Sequence, residues 1–189
     1  EHGLSFVALN ALLMRRYMHE YGYQRADFGP FALNAHENAC QCAHAMYPRA
    51  ITAEAFARAK MIADPISLLD SSGIGDGSAA VVLAPTSLAR EHGLPAVRVA
   101  ASAVATDSVA VHDRLMMLRI QAASLSAQRA YAQAAIQPQD VDLFELHDAF
   151  TIMAALSLEA SGFADPGRGV RLALDGEIGR QGRIPISTM

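Results

Sequence analysis

The sequence predicts an α/β protein with a layered, mixed sheet. Three observations predict it. Residues 79–83 form a short, wholly apolar run with turn signals before it, and residues 97–105 and 141–146 alternate apolar and polar positions with the period of a strand. Helical spacing governs the stretches between them, and the two kinds of segment alternate along the chain, the pattern of a sheet covered by helices.

Element by element, residues 4–21 place Phe6, Leu9, Leu13, Tyr17 and Tyr21 near helical spacing, and Gly22 stands where such a helix stops. From 27 to 50 the signals weaken into Gly29-Pro30, Pro48 and scattered polar residues, so an irregular lobe is expected there. Thr52 then caps a short helix with Glu54 in its first turn. The run 70–78 is rich in Gly, Ser and Asp and opens into the strand 79–83. Residues 114–135 read as one long alanine-rich helix whose many small side chains imply a close neighbour. The strand 141–146 leads into an apolar helix beginning near Phe150, which Gly162 and Pro166-Gly167 close. The one shift in composition lies near Asp64-Pro65, and no internal repeat or low-complexity tract interrupts the chain.

Composition narrows the function classes. At 189 residues, 52% hydrophobic and 18% charged, the chain can bury one substantial core and a smaller lobe. A net charge of −4 leaves no broad basic surface for nucleic-acid backbones, and no apolar run approaches the roughly 20 residues that cross a bilayer. Cys40 and Cys42 stand too close together for a framework disulfide, which with the absence of a leader-like start points to a reducing, cytoplasmic setting.

The stretch 142–149, DLFELHDA, is where chemistry is expected. Its strand ends on His147 and Asp148 and a helix follows at once, so the imidazole sits beside backbone N–H groups and the positive end of a helix dipole. His147 and Asp148 read either as an acid–base or oxyanion-binding pair, or as a histidine tying a strand end to a neighbouring carbonyl. His36, Cys40, Cys42 and His44 offer four metal-ligand types within nine positions. Structural zinc draws its ligands from separated knuckles, so this cluster reads as ordinary lobe residues and no metal is expected. The run 72–77 could cradle a ligand with its amides or serve as a tight turn. It lacks the Walker lysine, and it precedes a strand instead of following one as a dinucleotide fingerprint does. No G-x-S-x-G elbow supports a serine nucleophile.

Taken together, RAKMIADP over 58–65, DSSGIGDGSAAVVLA over 70–84 and ELHDAF over 145–150 resemble the thiolase family, nearest to its sterol-carrier-protein-X-type and archaeal branch. The resemblance runs in order along nearly the whole chain. It implies a thiolase fold, two similar halves packed as a layered αβαβα sandwich with a coenzyme A-binding loop domain inserted in the first. On that mapping residues 1–69 are the end of the N-terminal half and the loop domain, and residues 70–189 begin the C-terminal half.

The resemblance also implies an activity, acyl-CoA C-acyl transfer by Claisen condensation or thiolysis of 3-oxoacyl-CoA. Coenzyme A enters as substrate and no cofactor is held permanently. His147 matches the histidine of the family's oxyanion position, Ser72 matches a serine beside the pantetheine arm, Gly73 allows that arm close to the backbone, and Phe150 packs. Homodimers or tetramers and a small OB-fold acyl-CoA-binding partner are implied as well. No segment matches the family's nucleophile loop, expected before Glu1, or its GHP and C-x-G motifs, expected after Met189, and Cys40 and Cys42 match neither catalytic cysteine. Ala149 stands where some members carry a second cysteine. Two alternatives therefore stay open: a thiolase-like retro-aldolase acting on coenzyme A thioesters, and a non-catalytic coenzyme A-binding or assembly subunit.

Overall fold

The computed structural model describes residues 3–93 and 95–188. In order they form α1 (Phe6–Tyr21), α2 (Gly29–Ala39), α3 (Ala53–Ala57), β1 (Met61–Ala63), β2 (Ile66–Ser67), α4 (Thr86–Glu91), α5 (Gln121–Ala134), α6 (Thr151–Ala160) and α7 (Gly169–Leu174). Short 3-10 turns occupy Arg25–Phe28, Leu68–Asp70, Val111–Asp113 and Pro138–Asp140.

The core is built round α6. Its sequence TIMAALSLEA is apolar on nearly every side, and a helix without a polar face must be covered all round. Ile152, Ala154, Ala155, Leu156 and Leu158 are buried, and α6 packs on α1, α2, α5 and α7. From α1 the core receives Ala11, Leu13, Met14 and Tyr17, and from the stretch after α7 it receives Ile178, Ile184 and Ile186. Where α7 meets α6, Gly169 comes so close that a Cβ would lie 2.4 Å from the carbonyl oxygen of Ala155, so only glycine fits.

Local chemistry explains the ends of these elements. The Ser5 hydroxyl accepts a hydrogen bond from the Ala8 N–H, and Gly22 closes α1 in the left-handed region at φ 76°, its N–H bonded to the Met18 carbonyl. The Thr52 hydroxyl caps α3 by accepting from the Ala55 N–H, as the sequence predicts. At the far end of α6, the Glu159 carboxylate accepts hydrogen bonds from the Tyr17 hydroxyl at 2.5 Å and the Gly169 N–H at 2.9 Å. Burial pushes the Glu159 carboxyl above its ordinary range, and those two donors offset part of that push. Burial likewise raises the Tyr17 phenol, and its bond to Glu159 raises it further.

Four expectations from the sequence are corrected. Residues 27–50 are not simply irregular, because α2 occupies eleven of them; Pro30 sits in its first turn, where a missing N–H costs nothing and a fixed φ starts a helix. The helix expected over 114–135 begins only at Gln121, and its alanine-rich sequence, partly exposed, packs on α6. The expected strands 79–83 and 97–105 have no strand partner among the described residues, and Val81 and Val82 are 88% and 96% exposed. The expected strand 141–146 is reduced to one parallel bridge between Phe144 and Ile186. A strand exists only through its neighbours' hydrogen bonds, and the sole ladder among the described residues is the antiparallel β1–β2 hairpin.

Candidate active site

Two segments that lie far apart in the sequence meet at the N-terminal end of α6. Ser71 forms an antiparallel bridge with Phe150, and the Ser72 N–H donates a 2.9 Å hydrogen bond to the carbonyl of Ala149. The glycine-rich run is thereby laid against the HDAF motif. Two extended residues span at most about 7 Å, so the Ser72 amide lies within roughly 10 Å of the His147 backbone. His147, Ser72 and Gly73 are all exposed, and the His147 ring has no hydrogen-bond or ion-pair partner among the described residues. An unengaged imidazole at the mouth of a junction is free to donate to a ligand, and the structural reading in which it ties the strand end to a carbonyl is not what is seen.

The remaining residues of the motif are engaged. Asp148 accepts a 2.5 Å hydrogen bond from the Ser187 hydroxyl, and Glu145 accepts from both the N–H and the hydroxyl of Thr188. Asp148 is therefore a structural acceptor here and not the orienting partner of His147. Phe150 is buried and meets the Phe6 ring edge-on at 5.5 Å, so it packs, as expected.

The segment 184–188 forms a wall that sequence reasoning missed. Phe144 donates its N–H to the Pro185 carbonyl, and the amide of buried Asn38 donates to the carbonyls of Ile186 at 3.2 Å and Ser187 at 3.0 Å. Asn34 donates a second bond to the Ile186 carbonyl. Ser187 adopts φ 49°, a left-handed conformation that costs a non-glycine residue about 1 kcal/mol, and it is held there by its bonds to Asn38 and Asp148. No periodicity marks Asn38 or Ser187, because each acts through a pair of specific long-range bonds.

Beneath the junction lies a buried carboxylate. Asp70 is 2% exposed; it accepts hydrogen bonds from the Ser67 N–H at 2.8 Å, the Ser67 hydroxyl at 2.7 Å and the Thr151 hydroxyl at 2.9 Å. Arg25 stands 3.6 Å away and balances its charge. The lobe closes the other side. A Cβ on Gly73 would lie 2.8 Å from the Tyr47 hydroxyl and 2.9 Å from the Met46 sulfur, so the glycine already has a reason to be there in the fit of lobe to loop.

Two members of the lobe's cysteine and histidine cluster make other contacts. His36 Nδ1 lies 2.9 Å from the Arg49 carbonyl oxygen and its ring stacks on Tyr47, while the Cys40 thiol donates to the His36 carbonyl. Among the described residues no three His, Cys, Asp or Glu side chains gather as ligands. A cavity of about 1030 Å³, lined by Arg114, Met116, Arg119, Tyr131, Glu159 and Pro166 among others, lies at the opposite end of α6. The helix puts about 15 Å between the two ends, and neither His147, Ser72 nor Gly73 lines that cavity. The candidate site is an open junction of loop, lobe and helix start.

Known proteins are similar to this chain in sequence and fold. The family model described as Thiolase C-terminal domain-like matches residues 103–189. The chain is 40% identical over 187 residues to an acetyl-CoA acetyltransferase of Methanothermobacter thermautotrophicus, a match that covers 99% of this chain and 49% of the relative. It is 33% identical to a steroid side-chain-cleaving aldolase of Thermomonospora curvata, over 94% of this chain and 47% of the relative. The solved structure of the Ltp2-ChsH2(DUF35) aldolase superposes with a TM-score of 0.82 at 30% identity, covering 95% of this chain and 48% of that one. The chain thus spans about half the length of the relatives it matches. No helix among the described residues is long and apolar enough to cross a membrane. With motifs, superposed fold and relatives in agreement, the chain belongs to the thiolase family and has its α/β fold.

Proposed function

We propose that the protein is a thiolase-type acyl-CoA C-acyltransferase, condensing or cleaving 3-oxoacyl-CoA. His147 donates a hydrogen bond to the thioester oxygen as negative charge develops there, and Ser72 and Gly73 flank the pantetheine arm of coenzyme A. The observation that carries this reading is the Ser72–Ala149 hydrogen bond, which sets the loop beside the histidine at one junction. A donor aimed at a developing oxyanion is worth about 10²–10³ in turnover, the contribution asked of His147. Its exposed ring and the absence of a competing partner among the described residues support that role.

Coenzyme A is substrate in this reading, and no group is held between turnovers. Of Arg15, Arg16, Arg49 and Arg58, the arginines at hand for its phosphates, Arg15 pairs with Asp64 and Arg16 with Glu20, whereas Arg49 and Arg58 have no ion-pair partner among the described residues, and Arg49 stands two residues from Tyr47 above Gly73. Arg49 is the cation we assign to them. We further place the boundary between the N-terminal half with its loop domain and the C-terminal half at residues 69 and 70. The active protein is a homodimer or tetramer working with a small OB-fold acyl-CoA-binding partner, in the cytoplasm; the free thiols of Cys40 and Cys42 fit that compartment.

A second reading, a retro-aldolase on coenzyme A thioesters, is favoured by Ala149 at the place of a family cysteine and by the fold match to an aldolase. Intact mass of the natively expressed protein, before and after incubation with acetyl-CoA, separates the two. The acyltransferase gains one acetyl group, mapped to a cysteine other than Cys40 or Cys42. A protein that cleaves a steroid-type thioester but takes up no acetyl group is the aldolase.

A further inference from the structure

The junction is bolted from below by one carboxylate, and the bolt joins the two segments that the proposed chemistry needs in register. Asp70 directly precedes Ser71 and Ser72. One of its oxygens accepts both donors of Ser67, and the other accepts the hydroxyl of Thr151, the first residue of α6 and the one following Phe150 of the HDAF motif. The carboxylate is inside the protein, and charge-assisted hydrogen bonds in such surroundings are short and directional. The cation that balances it is itself fixed. The Arg25 guanidinium donates to the carbonyls of Phe56 at 2.9 Å and Ala57 at 3.3 Å and lies 4.7 Å from the centre of the Phe56 ring.

We propose that Asp70 is a positioning residue that sets the distance between the coenzyme A-holding loop at Ser72 and Gly73 and the oxyanion donor His147, by tying the start of that loop to the start of α6. It touches neither substrate nor reacting atoms. The inference rests on the functional reading given above for His147 and Ser72. Its consequence is selective: a substrate anchored by the loop has its carbonyl delivered to His147 only while the register holds, whereas a thioester with no long handle finds His147 without the loop. A loop displaced by about 1 Å is enough to cost a tethered substrate up to about 100-fold.

The test uses the natively expressed protein carrying Asp70→Asn and, in parallel, the milder Thr151→Val, which keeps shape and removes one donor. Amide hydrogen exchange and kinetics are read on both, with acetyl-CoA and the acetyl thioester of N-acetylcysteamine as substrates. The expected result is exchange faster by about tenfold or more in peptides covering 71–73 and 149–152, with the rest of the chain unchanged. With it goes a loss in kcat/KM of about tenfold or more for acetyl-CoA and less than about threefold for the short thioester. Exchange that rises everywhere alike, or nowhere, overturns the proposal, as does an equal loss for the two substrates. His147→Ala, run beside them, separates this from the underlying reading: if it leaves both substrates untouched, the role of His147 fails, and the exchange data still decide whether Asp70 holds the junction.

Discussion

The amide of Ser72 donates to the carbonyl of Ala149 at 2.9 Å, and through that bond the glycine-rich loop and the histidine motif become one site. The neighbouring residue Gly73 sits under the lobe, where the Tyr47 hydroxyl and Met46 sulfur occupy the space a Cβ would take. Both atoms lie in the outer parts of exposed side chains, so Gly73→Ala should fold with a loss under about 1 kcal/mol while pushing the lobe away from the loop. Titration calorimetry with coenzyme A should show an affinity several-fold weaker, and unchanged affinity would remove Gly73 from the binding surface.

Asn38 is 1% exposed and its amide serves two carbonyls of the 184–188 wall. Truncation to alanine removes the Asn38 bond to the Ser187 carbonyl, leaves the Ile186 carbonyl with Asn34 alone, and leaves the left-handed Ser187 with its bond to Asp148. Denaturant unfolding of Asn38→Ala should show a loss of about 1–3 kcal/mol, the cost of unpaired buried polar groups. A loss below about 0.5 kcal/mol would mean that the wall is held elsewhere.

Gly169 meets the backbone of α6, which cannot swing aside as a side chain can. Gly169→Ala would bring a methyl group 2.4 Å from the Ala155 oxygen, so α7 must move. A destabilisation of about 1–3 kcal/mol and a fall of several degrees in Tm are expected by calorimetry. An unchanged Tm would show that the two helices are less tightly joined than described.

Glu159 gives the fold a pH dependence with a definite sign. Its carboxyl titrates above the ordinary value near 4.5 in the folded chain because burial disfavours the charged form. The folded state therefore holds that proton more firmly than the unfolded state. The stability it contributes is full below the unfolded value and is lost as pH rises through the raised one. Glu159→Gln keeps an oxygen for Tyr17 and Gly169 and removes the ionisation. Urea unfolding from about pH 4 upward should fall more shallowly for the variant than for the parent, and parallel curves would deny Glu159 this role.

What the sequence reveals is uneven for physical reasons. Helix α1, its Gly22 stop, the Thr52 cap and the apolar α6 are legible because each is governed by neighbours within a turn. The HDAF and DSSG motifs are legible as chemistry, but that Ser72 and Ala149 touch is not, since the contact bridges 77 positions of chain. Helix α2 escapes notice because Gly29-Pro30 marks a turn as readily as a helix start. The apolar segments 79–83 and 97–105 are patterned for burial that the described residues do not supply, which is why period alone misplaces them. Asn38 and Ser187 have no local signal, for they act through bonds to distant groups, whereas Asp70 makes a local capping box with Ser67 and only its bond to Thr151 is long-range.

The central claim is that His147 is the hydrogen-bond donor to the thioester oxygen at the loop–helix junction. Steady-state turnover of His147→Ala in the natively expressed protein, with Tm measured alongside, tests it most directly. The account predicts a fall in kcat of at least about 100-fold with Tm unchanged, because the exposed ring supports no other contact among the described residues. Turnover close to that of the parent would contradict it.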